Sequence, residues 1–406
     1  MSDAPSVINV QEMRNQSMAE SVTRHAQISI SNICEYLICG IDTLDVGFYV
    51  NWSANWEDQK KRFDERKLEA HGTDGNLIDI TGIRPHIFYP GGKAPNYRYH
   101  VKYPEYHAFI AISKSATQSP NIYISFTSEA LHWEHSEHEL IDLVKHDIES
   151  LGGHTITHKI SRCDLYADFR ISGGLNLDFM RSHMVGRAKN TSQFMNGDQL
   201  ETFYAGNKSS PIQIRIYDKG KEIKKKGSEG RWLLLWFIDD SQDVWRIEAQ
   251  IRRQVLKQFR INKIDDLIKK KADLWRYITH DWFSLRNQDN ENQARRTVHE
   301  LWKNVQSCVK YFGAEEGTKR HYEENEAASI DWYMARIKNN LIACAAIKKD
   351  YDLESCLQKI NNRMLVVTDK DDFAEKARIK SIELGISIKS EDKQDVRELF
   401  RRLTAN

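Results

Sequence analysis

No single feature of the composition points to a chemistry. The six cysteines (Cys34, Cys39, Cys163, Cys308, Cys344, Cys356) include no CxxC pair and no regular framework. That pattern suits reduced thiols in a cytoplasm better than a disulfide scaffold or a zinc site. The net charge is only +1 over 406 residues, so no global charge points to nucleic acid. Long hydrophobic runs are missing too. The most apolar stretch, "WLLLWFI" from Trp232 to Ile238, falls far short of the roughly 20 residues that span a bilayer, and it reads as a buried strand. The opening "MSDAPSVINVQEMRNQSMAESVTRHAQ" has no apolar signal-peptide core. The expectation is a soluble, cytoplasmic protein with no membrane partner. "GGKAP" (Gly91 to Pro95) lacks the strand, spacing and helix of a phosphate loop and reads as a turn.

What is present is local. Between Tyr204 and Arg276 there are 18 Lys/Arg against 10 Asp/Glu, a concentration of positive charge hidden by the neutral total. The length allows two or three domains. Residues 1–36 are polar and Ser/Gln-rich, which predicts a loosely ordered lead-in. From Ile41 strand-like segments follow one another ("IDTLDVGFYV", "YRYHVKY", "HAFIAIS", "NIYISF"). Ser136 and Glu139 then form a capping box, and Leu140, Ile141, Val144, Ile148 and Leu151 follow at helical spacing. Strands resume with "ISRCDLYADFRI", "ETFYAGN", "PIQIRIYDK" and "VWRIEAQIRR". Both blocks open on an acidic strand, "GIDTLDVGF" and "SRCDLYADF", as a duplicated α+β unit would. From Asn262 the pattern is helical, with a polar break near residue 290. The predicted fold is α+β: an antiparallel-sheet body over 37–285, then a helical C-terminal domain over 286–406.

Strand alternation groups the polar side chains. One face of "SRCDLYADFR" carries Arg162, Asp164, Tyr166 and Asp168. "VWRIEAQIRR" presents Arg246, Glu248, Gln250 and Arg252, and "PIQIRIYDKG" presents Gln213, Arg215, Tyr217 and Lys219. If the strands share a sheet, carboxylates suited to Mg²⁺ or Mn²⁺ meet a tyrosine flanked by cations. A phenol with a reference pKa of about 10 needs such cations or a metal to act as a nucleophile. The same residues also suit a set of surface ion pairs on solvated strand faces.

In their order, "GIDTLDVGFYV", "EHELIDLVKHDIESLGG", "KISRCDLYADF", "FYAGNKSSPIQIRIYDKGKE", "VWRIEAQIRR" and "ADLWRYIT" resemble the replication initiation factor family. That family includes rolling-circle Rep proteins of plasmids, nicking relaxases of integrative elements and replication proteins of filamentous phages. The resemblance spans Gly40 to Phe283. It implies a nuclease body acting as a metal-dependent, site-specific DNA endonuclease and strand transferase, which keeps a 5′ phosphate on tyrosine and frees a 3′ hydroxyl. Carried onto this chain it makes Tyr217 the nucleophile, with Lys219 and Arg215 supporting it. Asp164 and Glu248 become metal ligands, with Asp168 and Asp42 as further candidates. Asp42 alternates with Leu44, Val46 and Phe48, which places it towards a buried strand start. The paired-histidine motif of other rolling-circle nickases is lacking. The partners implied are origin DNA, single-stranded or as a cruciform, with host helicase and polymerase, and a homodimer.

Tyr204, before a Gly-Asn turn, is the rival nucleophile; with Lys208, Lys224, Lys225 and Arg252 it is assigned to the DNA-binding surface. Lysine runs there neutralise phosphates. His132, His135 and His138 sit at a helix entrance, where polar residues are expected without any metal. The alternative function is a non-catalytic, sequence-specific DNA-binding regulator on the same fold.

Overall fold

Two strands of 19 residues each, β1 (Cys34–Trp52) and β7 (Gly153–Ile171), run antiparallel through the centre of the large sheet. The computed structural model describes residues 34–116, 119–321 and 330–383. The expected polar lead-in over 1–36 therefore lies outside the described residues, except that Cys34 to Tyr36 already belong to β1. The chain divides into two compact units, Met1–Arg320 and His321–Asn406.

The first unit is built twice. After β1 come α1 (Trp56–Glu69), β2 (Asn76–Ile80), β3 (Ile83–Tyr89), β4 (Tyr99–Lys102), β5 (Tyr106–Ile110), β6 (Ile122–Phe126) and α2 (Glu137–Ser150). After β7 come α3 (Leu177–His183), β8 (Met184–Gly186), β9 (Thr191–Asn196), β10 (Gln199–Ala205), β11 (Ile212–Asp218), α4 (Lys219–Lys225), α5 (Glu229–Trp236), β12 (Val244–Arg252), α6 (Arg253–Gln258) and α7 (Ile264–Arg276). The large sheet has the order β2-β3-β4-β5-β6-β1-β7-β12-β11-β10-β9. On each side of the central pair the last strand of a meander docks beside the long strand, and a helix follows. The two acidic strands that hint at a duplication are the two central strands.

The capping box forms as expected. The Glu139 amide donates to Ser136 Oγ at 3.3 Å, and the Ser136 amide donates to Glu139 Oε2 at 2.7 Å. Leu140, Ile141, Val144 and Ile148 of α2 are buried, and α2 and α7 both pack on β7. Apolar alternation on the central strands supplies the other wall of the core, with Leu44, Val46, Phe48 and Leu165 fully buried.

Two expectations are corrected. "WLLLWFI" is helical: α5 buries Trp232 and Trp236, one turn apart, while Leu234 is 74% and Phe237 64% exposed. A short apolar run fits either period, and burial at i and i+4 decides for the helix. The body also continues past residue 285. β13 (Phe283–Leu285) pairs with β8, and α8 (Glu300–Ser307) packs into the same core. The Trp302 indole donates to the Thr279 carbonyl at 2.8 Å, and Trp275 donates to that of Val305 at 2.9 Å. The polar stretch near residue 290 is a surface loop closed on itself, its Thr297 amide donating to Asp289 at 3.1 Å. After α9 (Val309–Phe312), the second unit has three described helices: α10 (Ile330–Lys348), α11 (Leu353–Val367) and α12 (Lys370–Glu383). No described helix is long and apolar enough to cross a membrane.

Candidate active site

Strand pairing decides which of the expected side chains meet. β11 pairs with β12, and β12 with β7. Tyr217 therefore lies opposite Arg246, which lies opposite Asp168; one step along the same face, Arg215 lies opposite Glu248 and Glu248 opposite Tyr166. Side chains directly opposite on an antiparallel pair are in contact range, and here they bond. Arg215 Nη2 donates to Asp164 Oδ2 at 2.7 Å and also to Glu248 Oε1. The Tyr217 hydroxyl donates to Glu248 Oε2 at 3.3 Å. Arg162 closes on Asp164 from the other side, Nε to Oδ1 at 2.7 Å. A second group adjoins this one. Arg246 grips Asp168 with two bonds, Nε to Oδ1 at 2.7 Å and Nη2 to Oδ2 at 2.8 Å, and its Nη1 reaches Asp42 Oδ1 at 2.5 Å.

Asp42 arrives there through a defect in the strand. Ile41 pairs with Leu165 and Thr43 with Asp164, so Asp42 is an extra residue in a bulge. A bulge re-aims the side chain it contains, and Asp42 leaves the alternation of Leu44, Val46 and Phe48 for the face of Arg246. Simple counting by twos cannot find this.

The face is also not solvated, contrary to expectation. Asp164, Asp168, Arg246 and Glu248 are all buried. The cover is α4 and α5, whose Ile223, Trp232 and Trp236 form a small apolar cluster with Leu37 and Val244. Trp236 Nε1 donates to Asp168 Oδ2 at 2.9 Å, and the Arg246 guanidinium lies 3.8 Å from the Tyr166 ring centroid and 4.7 Å from that of Trp232. Lys219, buried, bonds Glu222 at 2.5 Å and lies over the Trp232 ring at 4.5 Å; its ammonium is 5.8 Å from the Tyr217 ring. Arg215 and Tyr217 are partly buried, at the edge of the cluster.

Burial dominates the electrostatics. It pushes the Tyr217 phenol well above its ordinary value, against the opposing field of Arg246. Burial and then the charge of Asp42 push Glu248 well above the usual carboxylate range, although Arg215 pulls it down. Burial works against the charge on Asp42 as well, but His132 and Arg246 outweigh it and hold the carboxylate below its ordinary range. Burial and the neighbouring Arg246 lower Lys219. The cation acting most directly on Tyr217 is thus Arg246, more than Lys219 or Arg215. A carboxyl whose pKa is raised is a stronger base once ionised, and this one lies within reach of the phenol.

The four candidate metal ligands are not brought into one group. Asp164 is held by Arg162 and Arg215, and Asp168 by Arg246 and Trp236. Among the described residues no three of His, Cys, Asp and Glu are arranged to hold a metal ion. As they stand, these side chains fit ion-pair networks and not a metal cage. Of the three histidines, His132 packs on Tyr166 and Trp232 with Nε2 3.6 Å from Asp42, whereas His138 lies 3.5 Å from Asp265. They do not share a face.

Of the DNA-binding candidates, half-buried Tyr204 lies directly opposite Arg215. Arg252 bonds the carbonyl of exposed Lys208 at 2.7 Å, at the turn between β10 and β11. Lys224 and Lys225 are exposed on α4 and paired with Glu229 at 3.5 Å and Glu201 at 2.9 Å. Sequence reasoning missed Arg246, His132, Trp232 and Trp236 as members of the site. Only Arg246 carried a signal, its alternation with Glu248.

No family model and no curated protein matches the chain. Among solved structures the chain is similar to that of a rolling circle replication initiator protein from Geobacillus stearothermophilus, with 14% identity, a TM-score of 0.39, and coverage of 68% of this chain and 98% of that one.

Proposed function

We propose that the chain is a replication initiator that nicks one DNA strand through Tyr217. The observation carrying this reading is the Tyr217 hydroxyl on Glu248, beside the guanidinium of the partly buried Arg215. In the step proposed, Tyr217 Oη bonds to the phosphorus and the P–O3′ bond breaks. Glu248 accepts the phenol proton, and the departing oxygen takes up a proton to become a free 3′ hydroxyl. The 5′ phosphate stays on the tyrosine, its charge facing Arg215. Arg246 favours the phenolate electrostatically, and Glu248 is re-ionised by loss of its proton to solvent. The products are a 5′-phosphotyrosine and a primer end for rolling-circle synthesis of a plasmid, phage or integrative element. The proposed partner is origin DNA, single-stranded or extruded as a cruciform, with host helicase and polymerase, a homodimer and a cytoplasmic location belonging to the same proposal.

The requirement for Mg²⁺ or Mn²⁺ is part of the proposal and no step above depends on it. The test is incubation with supercoiled origin DNA and Mn²⁺. A nicked circle and a denaturant-resistant protein–DNA adduct support the reading, and their absence refutes it. The second reading is a DNA-binding regulator without catalysis, favoured by the ion pairing of Arg215 and Lys219. It predicts origin binding with no adduct.

A further inference from the structure

Among the described residues, the other half of the duplicated sheet has no helical cover on the corresponding side. Residues of β3 to β6 alternate between the core and this open face. Phe88, Tyr99, Val101, Ala108, Ile110, Ile122 and Ile124 point inward and are buried. Open faces of antiparallel sheets are normally plain polar surfaces, but this one is a row of rings. Tyr89 stacks on His100 at 4.5 Å between centroids, and His100 on Phe109 at 4.5 Å. Phe109 neighbours Tyr123 at 6.3 Å. All four are half-buried; faces are taken up within the row by the neighbouring rings and by Lys93, and the ring edges are left to meet solvent.

The "GGKAP" turn serves this face. The chain doubles back so that the Lys93 and Tyr97 backbones exchange bonds of 2.8 and 3.0 Å. Any side chain at Gly92 would run into the carbonyl oxygens of Tyr97 and Arg98, so the reversal needs glycine there. The result places Lys93 Nζ 3.6 Å from the Tyr123 ring centroid and 5.0 Å from that of Phe109. The carboxylate beside it, Asp45, is buried and already accepts bonds from Tyr123 at 2.6 Å and Ser125 at 2.7 Å. Lys93, Lys102 and Arg162 are the cations of this face, with Asp45 and Asp164 as the carboxylates beside them. Burial, with His107 and Lys102 nearby, lowers His100 to about 4, and burial also lowers His107, so both present neutral rings.

The row leads to the candidate site. Arg162 lies within electrostatic reach of Asp45 and bonds Asp164, which bonds Arg215. Six strand spacings separate β4 from β11 in the sheet order, about 29 Å at ~4.8 Å each. Flat rings interleaved with cations are how proteins hold unpaired bases and their phosphates.

We propose that this face is an aromatic platform for single-stranded DNA, with bases packed against the outer ring edges of the Tyr89–His100–Phe109–Tyr123 row and the backbone running over Arg162 towards Tyr217. The choice of DNA over RNA, and the direction of the strand, rest on the nicking reading. The platform itself rests on the rings and their cations.

The test uses the full chain carrying Tyr217→Phe, so that no covalent adduct forms, and a labelled thymidine oligonucleotide of about 12 nucleotides, within the ~4–16 that such platforms hold. Fluorescence anisotropy should show Phe109→Leu and Tyr89→Leu each weakening binding by about tenfold, with Phe109→Trp retaining it. Lys93→Gln should reduce the slope of log affinity against log salt by about 0.7. Affinity within about twofold of the parent for both leucine variants overturns the platform; tighter binding of the matching RNA overturns the choice of DNA. Tyr89→Leu, at the outer end of the row, keeps the test open if Phe109→Leu folds poorly. Nicking by the wild-type chain with unchanged platform variants removes this proposal alone. Ring-dependent binding in a chain that never forms an adduct removes the nicking reading alone.

Discussion

Tyr217 and Glu248 sit diagonally across the β11–β12 pair, phenol oxygen 3.3 Å from Glu248 Oε2, and burial raises the pKa of both. In the proposed step each depends on the other. A high-pKa phenol is a weak nucleophile, and a high-pKa carboxylate is a stronger base than an ordinary one.

A pH dependence follows. Only ionised Glu248 accepts the phenol proton, and its pKa lies above the ordinary 4.5. The single-turnover nicking rate should rise with pH to a midpoint above the usual carboxylate range, and Glu248→Gln should abolish both rate and midpoint. The linked stability has the opposite sign. A carboxyl whose pKa is raised by folding contributes stability that is complete below the unfolded value and lost as pH rises through the folded one. Wild type should therefore lose Tm relative to Glu248→Gln as pH rises from 4.5. A gap that widens in favour of wild type contradicts the assignment.

Arg246 is fully buried and ties Asp168 to Asp42. Truncating one partner of such a network strands the others without compensation. Arg246→Met should cost about 3–5 kcal/mol by chemical denaturation. Arg246→Lys should recover only part of it, since lysine lacks the two-pronged fork. A loss below about 1 kcal/mol for the methionine variant shows the network to be incidental.

The cover of the site makes its own prediction. Trp236 donates to the carboxylate of Asp168 at 2.9 Å. Trp236→Phe keeps most of the apolar surface but removes this bond, and should lower stability by about 1.5–3 kcal/mol. An unchanged denaturation midpoint excludes the bond as a support of the cover.

Metal dependence is tested by chelation. The carboxylates are tied up in ion pairs as they stand, so a metal requirement means that bound DNA must free them; adduct formation that stops in excess EDTA and returns with Mn²⁺ or Mg²⁺ shows that it does. An adduct formed at the full rate in EDTA removes the metal from the proposal and leaves the side chains to act alone.

Legibility in the sequence tracked the strength of each local signal. The α2 capping box, the alternating strands and the two acidic central strands are strong, short-range patterns, and each appears where expected. Strand alternation placed Asp164, Asp168, Arg215, Tyr217 and Glu248 on polar faces, and pairing brought those faces together. Three things were beyond it. A bulge at Asp42 breaks the period of two. The helical period of "WLLLWFI" is invisible in a run where every residue is apolar. Because that run then covers the polar face, charges expected in water are buried. The break near residue 290 is polar because it faces solvent, and Trp302 carries the body past it.

The most direct test of the nicking reading is to form the adduct on origin DNA, digest it with nuclease and protease, and identify the phosphorylated peptide by mass spectrometry. The prediction is a 5′-linked phosphotyrosine at Tyr217 in the peptide containing "IQIRIYDK", absent from Tyr217→Phe and retained by Tyr204→Phe. A nucleotide on Tyr204, or no tyrosine-linked nucleotide at all, contradicts it.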